Sequence, residues 1–169
     1  MLVESRAAVV HGGFTKVAYD SGEVLVANRK TVDILNRLLG RHMHSLAVYL
    51  SSAPPWASPG DAQALTVLRQ IADDQKLMGD RIATAVLDEG GRLQAGEFPM
   101  TYTDLHDVGI GYLVPQLVAA QRDDVAAIRV AVEQLRDAPL ARAVAEEALG
   151  AAQGHLDSLL ELPQAAIRA

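Results

Sequence analysis

TVDILNRLLGRHMHSLAVYL, residues 31–50, places Leu35, Leu38, Leu39, His42, Leu46 and Tyr49 at the 3, 4, 7 spacing of one helical face. An ionisable imidazole therefore sits in the middle of an apolar stripe, where a leucine would be cheaper to bury. Thr31 fits an N-cap, with Asp33 in the electropositive first turn. Ala53-Pro54-Pro55 withdraws two amide donors, so this helix, A, is expected to stop near Ser52.

Outward from helix A the chain keeps the same character. Trp56 lies in the next connection and is expected to pack back over the helices, and Asp61 is a candidate N-cap after Ser58-Pro59-Gly60. Helix B should cover 62–89, with Val67, Ile71, Asp74, Met78, Ile82 and Ala85 along one face and Leu77 beside them. Gly90-Gly91 would close it through a left-handed cap. Residues 92–103, RLQAGEFPMTYT, form a long connection that suits a crossover between helix ends that do not abut. Helix C should begin around Asp104 to Asp107 and reach Arg136, its first turns delayed or kinked by Gly109, Gly111 and Pro115. Its stripe is Leu117, Val118, Gln121, Val125, Ile128, Val132 and Leu135. Pro139 opens helix D, whose inner face reads Ala141, Ala145, Ala148, Ala152, His155, Leu159, Leu162 before Pro163 ends it.

Four long helices with two short connections and one long crossover specify an all-α four-helix bundle over residues 31–162. Residues 1–30 show no sustained period and read as an N-terminal arm, in which Val17-Ala18-Tyr19 and Val24-Leu25-Val26 could pair as a small hairpin across Asp20-Ser21-Gly22. Residues 163–169 are left as a tail. At 169 residues, half of them apolar but only 4% aromatic, the chain suits one domain packed through Ala and Leu. A net charge of −6 without a basic run argues against nucleic acid. With no cysteine, disulfides, thiolate metal sites and thiol catalysis are excluded. Charges throughout residues 1–30 leave no apolar signal region, and no uncharged stretch reaches the roughly 20 residues that span a bilayer. A cytoplasmic chain that avoids membranes is expected.

His42, Asp74, Gln121 and His155 each fall mid-helix on the face assigned to the core, and in a bundle such positions meet at similar heights. Buried polar groups need partners or a metal ion. Other polar residues have plainer readings. His44, two residues from His42, belongs on another face and should be a surface histidine. Tyr49 should lie on the inner face with its hydroxyl bonded. Asp73, Asp123 and Asp124 read as solvated, and His11 and His106 have no partners nearby in sequence. No G-x-S-x-G elbow occurs, and Gly109-Ile110-Gly111 lacks the strand that a phosphate loop requires.

Asn36-Arg37-Leu38-Leu39-Gly40 followed by His42 and Tyr49, Asp88-Glu89-Gly90-Gly91-Arg92-Leu93-Gln94, and Gly154-His155-Leu156-Asp157 resemble landmarks of the ferritin-like superfamily, most closely bacterioferritin. The resemblance covers residues 30–162 and implies an up-down-down-up order of helices. It also implies a di-iron site of a Glu on the first and third helices and Glu-x-x-His on the second and fourth. In those places stand His42, Gln121, Asp74 with Leu77, and Ala152 with His155, so one carboxylate remains. Gln75 occupies the position of the family's haem-ligating Met, which argues against haem.

The expectation is accordingly a ferritin-like bundle without a ferroxidase centre, dimeric or in a larger assembly, with a structural or interaction role and no cofactor. The alternative is a metal-binding protein or metal-dependent oxidoreductase in which His42, Asp74 and His155, with Gln121 as a weak oxygen donor, hold one iron, zinc or manganese ion. Cage-forming iron storage is the weaker alternative.

Overall fold

The computed structural model describes residues 21–105 and 107–163. Its helices are α1 (Ser21–Met43), α2 (Leu46–Ser52), α3 (Ala62–Asp88), α4 (Ile110–Gln134) and α5 (Pro139–Leu160), with 3-10 turns at Pro59–Asp61 and Met100–Leu105. No strand occurs among the described residues. Residues 1–20, His106 and 164–169, and with them His11, most of the expected arm and nearly all of the tail, lie outside that description.

The first helix differs from expectation at both ends. Residues 21–30, read as part of the arm, are helical, so Val24-Leu25-Val26 is not a hairpin strand and Thr31 is an interior residue, not an N-cap. The helical face simply extends further back than the apolar stripe shows. Helix A is also broken into α1 and α2. Ser45 takes an extended conformation (φ −69°, ψ 161°) and its Oγ accepts from the Val48 amide at 3.1 Å. A serine hydroxyl competes with the backbone for such donors, and here it restarts the helix instead of letting it run on.

The other boundaries follow local chemistry. Asp61 Oδ2 accepts from both the amide and the hydroxyl of Ser58, each at 2.7 Å, fixing the entry to α3. At its exit Gly90 adopts φ 71°, its amide donates to Leu87 O, and the Gly91 amide donates to Val86 O. This pair of bonds is the Schellman closure that the Gly-Gly pair led one to expect. α4 starts at Ile110, later than Asp104 to Asp107, because Gly109 is extended and its neighbours bond to Trp56 instead. The Trp56 indole itself is 69% exposed; only its backbone is tied in, so it does not pack over the bundle.

The crossover runs back along the outside of α1 and α2. Asn36 binds it twice, donating from Nδ2 to Arg92 O and accepting at Oδ1 from the Gln94 amide, both at 2.9 Å. One turn on, Gly40 lets it come so close that a Cβ there would lie 2.6 Å from Ala95 O. His44 Nδ1 donates to Ala95 O at 3.1 Å and its ring meets Phe98 edge-on at 4.7 Å. Tyr49 packs against Phe98 and Tyr102. His44 is thus half-buried and not a surface residue, and Tyr49, half-buried, packs against the edge of the apolar core as well as against the crossover.

α1 packs chiefly on α3 and α4 on α5, while α3 with α5 and α1 with α4 close the ring. The core falls into two apolar clusters. One gathers Leu35, Leu38, Ile82, Val86, Ile128 and Ala145; the other gathers Leu50, Leu68, Ile71, Leu113, Leu117 and Leu159. Among the described residues no helix is long and apolar enough to cross a membrane.

Asn36 and Gly40 should be the least replaceable residues of the crossover contact. Asn36→Ala removes both hydrogen bonds from a buried side chain to the crossover backbone and should cost about 1–3 kcal/mol. Gly40→Ala should cost a similar amount, about 1–3 kcal/mol, because the atom in its way is backbone and cannot rotate aside. Urea unfolding followed by circular dichroism measures both.

Candidate functional site

Between the two apolar clusters lies a layer of buried polar side chains. His42 from α1, Gln75 from α3, Gln121 from α4 and His155 from α5 are each at most 8% exposed. They line one cavity together with Asp74, Met78, Asp124, Ile128, Ala151 and Ala152; its volume is about 10 Å³, room for about one water molecule. The four residues expected from the sequence, His42, Asp74, Gln121 and His155, do share this cavity.

Their depths differ from expectation. α3 is turned so that Gln75 and Met78 point inward, and Asp74 sits at the edge with its carboxylate 46% exposed. Leu77, read as the place of a lost imidazole, is 63% exposed and belongs to no site. Gln75, read as a haem-ligand position, is instead held inside by the Ser45 hydroxyl, which donates to its Oε1 at 2.6 Å. The rotation follows from small residues: a Cβ on Gly79 would lie 2.5 Å from Met43 Sδ, so α3 approaches α1 closely there, and Ala72, fully buried on the same side, packs in the cluster that holds α2. A stripe chosen by its largest apolar residues missed that side; the small residues were the available signal.

Each polar group has a definite role. His42 Nδ1 lies 2.8 Å from Leu38 O and, facing a carbonyl, must donate. Burial holds the His42 imidazole below its ordinary pKa; the Leu38 bond opposes this, and His155 and Arg41 add to it. His155 Nε2 donates to Asp74 Oδ2 at 3.1 Å. Its Nδ1 is buried with no hydrogen-bond partner, and leaving such an atom unpaired costs about 1–3 kcal/mol. Gln121 Nε2 donates to Ala152 O at 3.2 Å.

Asp124 was expected in solvent. It is instead 15% exposed, accepting from Arg41 Nη1 at 2.8 Å, and burial pushes its carboxyl pKa up while Arg41 pulls it down. Asp124 also lines a groove of about 350 Å³ beside the break at Ser45, so it faces both the groove and the cavity. Nothing in the sequence ties residue 124 to residue 41.

Comparison with family models, with curated proteins and with solved structures finds no match. Chemistry at the site must be read from its own donors. Among the described residues no three His, Asp or Glu side chains meet as a group able to hold a metal ion. The inward positions of α3 and α4 are amides, and the two lining carboxylates are engaged by His155 and Arg41. This lining does not fit a carboxylate-bridged pair of iron ions. Nor does Asp74 stand as a third ligand beside the two imidazoles, since it occupies the outer nitrogen of one of them.

The depressed imidazole has a pH consequence. The folded state takes up the His42 proton less readily than the unfolded chain, whose value is near 6.5, so its contribution is full above that pH and is lost as pH falls through the lower folded value. Unfolding midpoints should fall on acidification below about 6.5, and the slope should flatten in His42→Leu. Urea titrations from neutral to mildly acidic pH measure this.

Proposed function

We propose that the chain is a ferritin-like bundle in which a metal-poor polar layer has replaced the di-iron ferroxidase centre, and that it serves a structural or interaction role and not iron oxidation. Two observations support the fold reading. Val32 meets Gly91, Ser45 meets Gln75, Arg41 meets Asp124 and Trp56 meets Gly109, which sets α3 and α4 antiparallel to α1. Asp74 meets His155 and Arg81 meets Glu147, which sets α5 antiparallel to α3. These contacts support an up-down-down-up order with one long crossover.

The loss of oxidation is carried by one observation: the interior polar residues of α3 and α4 are Gln75 and Gln121, each already spent on a neighbour in the bundle. Two close iron ions repel strongly in a low-dielectric interior, and neutral amides cannot offset that charge as bridging carboxylates do. A cysteine-free chain suits a cytoplasmic setting. Assembly as a homodimer belongs to the same proposal; Leu140, 81% exposed at a hollow of about 510 Å³ between α3 and α5, supports it.

Ferrous iron added aerobically to the metal-free protein should oxidise no faster than in protein-free buffer, followed by oxygen uptake. Saturable oxidation at two irons per chain would overturn the proposal. Sedimentation equilibrium should return the dimer mass; a cage of many subunits would return the reading to storage.

A further inference from the structure

We infer that the central cavity is a site for one cuprous ion, held by His42 Nε2, His155 Nδ1 and the thioether of Met78. The two imidazoles are oriented for it. His42 Nδ1 donates to the Leu38 carbonyl at 2.8 Å, which leaves Nε2 as a bare lone pair. His155 Nε2 donates to the Asp74 carboxylate at 3.1 Å, which leaves Nδ1 bare, and that atom is buried without a partner. Each ring therefore has one nitrogen fixed by an oxygen acceptor and the other free, the arrangement that orients histidines toward a metal. Both rings line the same cavity, which has room for about one water-sized occupant.

The donor set selects the ion. Met78, 6% exposed, brings a thioether to the same lining. Gln75 Oε1 accepts from the Ser45 hydroxyl, and Gln121, whose Nε2 donates to Ala152 O, leaves only a neutral amide oxygen, a weak ligand beside two imidazoles. Imidazole nitrogens with a thioether sulfur favour a soft cation; iron(III), manganese and magnesium want oxygen ligands. Charge points the same way. Asp124 is neutralised by Arg41, whereas Asp74 has only the His155 ring beside it. One unpaired negative charge at the rim balances a singly charged ion and leaves a doubly charged one over-positive in a buried site. The inference stands on the cavity alone and does not require that the chain be ferritin-like.

The test is anaerobic competition between the full-length chain and bicinchoninate for Cu⁺, with Zn²⁺ and Fe²⁺ as comparators, and X-ray absorption on the loaded protein. Expected are about one equivalent of copper and a shell containing both nitrogen and sulfur. Met78→Leu keeps the volume of the site and should remove the sulfur with a loss of affinity of about tenfold or more. Asp74→Asn, acting through His155, should weaken binding by about 10- to 100-fold. Circular dichroism checks that both variants are folded. Absence of stoichiometric copper uptake by the wild-type chain, a copper shell without sulfur, or preferential uptake of zinc or iron would overturn the inference. Ferrous oxidation and cuprous uptake are read separately, so either reading can fail alone.

Discussion

Four polar side chains buried at one level of an otherwise apolar bundle set the terms for the rest of this structure. His42, Gln75, Gln121 and His155 separate an apolar cluster on one side from another on the other. Such groups destabilise the fold unless paired, and pairing fixes how the helices can sit. Ser45 bonds Gln75, so α3 cannot rotate against the break in the first helix. Gln121 bonds the Ala152 carbonyl, so α4 is locked to α5 at that height. His155 bonds Asp74 and couples α5 to α3. A core of Ala and Leu alone would tolerate sliding; this layer specifies one register.

The helix break and the layer are one feature. Had α1 continued through Ser45, its hydroxyl would have bonded back to its own turn. By restarting the helix, Ser45 serves as both the cap of α2 and the partner of Gln75. The break also opens the groove next to which Arg41 and Asp124 pair. Outside it the crossover closes over α1, anchored by Asn36 and admitted by Gly40.

Within the layer, two ring nitrogens stand apart. His155 Nδ1 is fully buried without a partner, and His42 Nε2 is left bare by the bond that its Nδ1 makes to Leu38 O. The two rings and Met78 share the inner lining with the neutral amides of Gln75 and Gln121, with carboxylates only at the rim. That order, neutral inside and charged outside, is the reverse of what a carboxylate-bridged iron pair requires.

The sequence by itself determined that the chain is helical, about where α3, α4 and α5 stop, that Gly90 closes one of them, and that His42, Gln121 and His155 point inward. These are consequences of a 3.6-residue period, of proline and glycine stereochemistry, and of small residues that mark the inner face of α5. The tertiary structure alone decided that Gln75 and not Asp74 is the interior residue of α3, since helix rotation depends on how closely a neighbour can approach at Ala72 and Gly79. It alone brought Asp124 to Arg41 and placed His44 and Tyr49 under the crossover, because those contacts join segments far apart in the chain. Which polar groups find partners is a property of the packed helices, and periodicity carries no record of it.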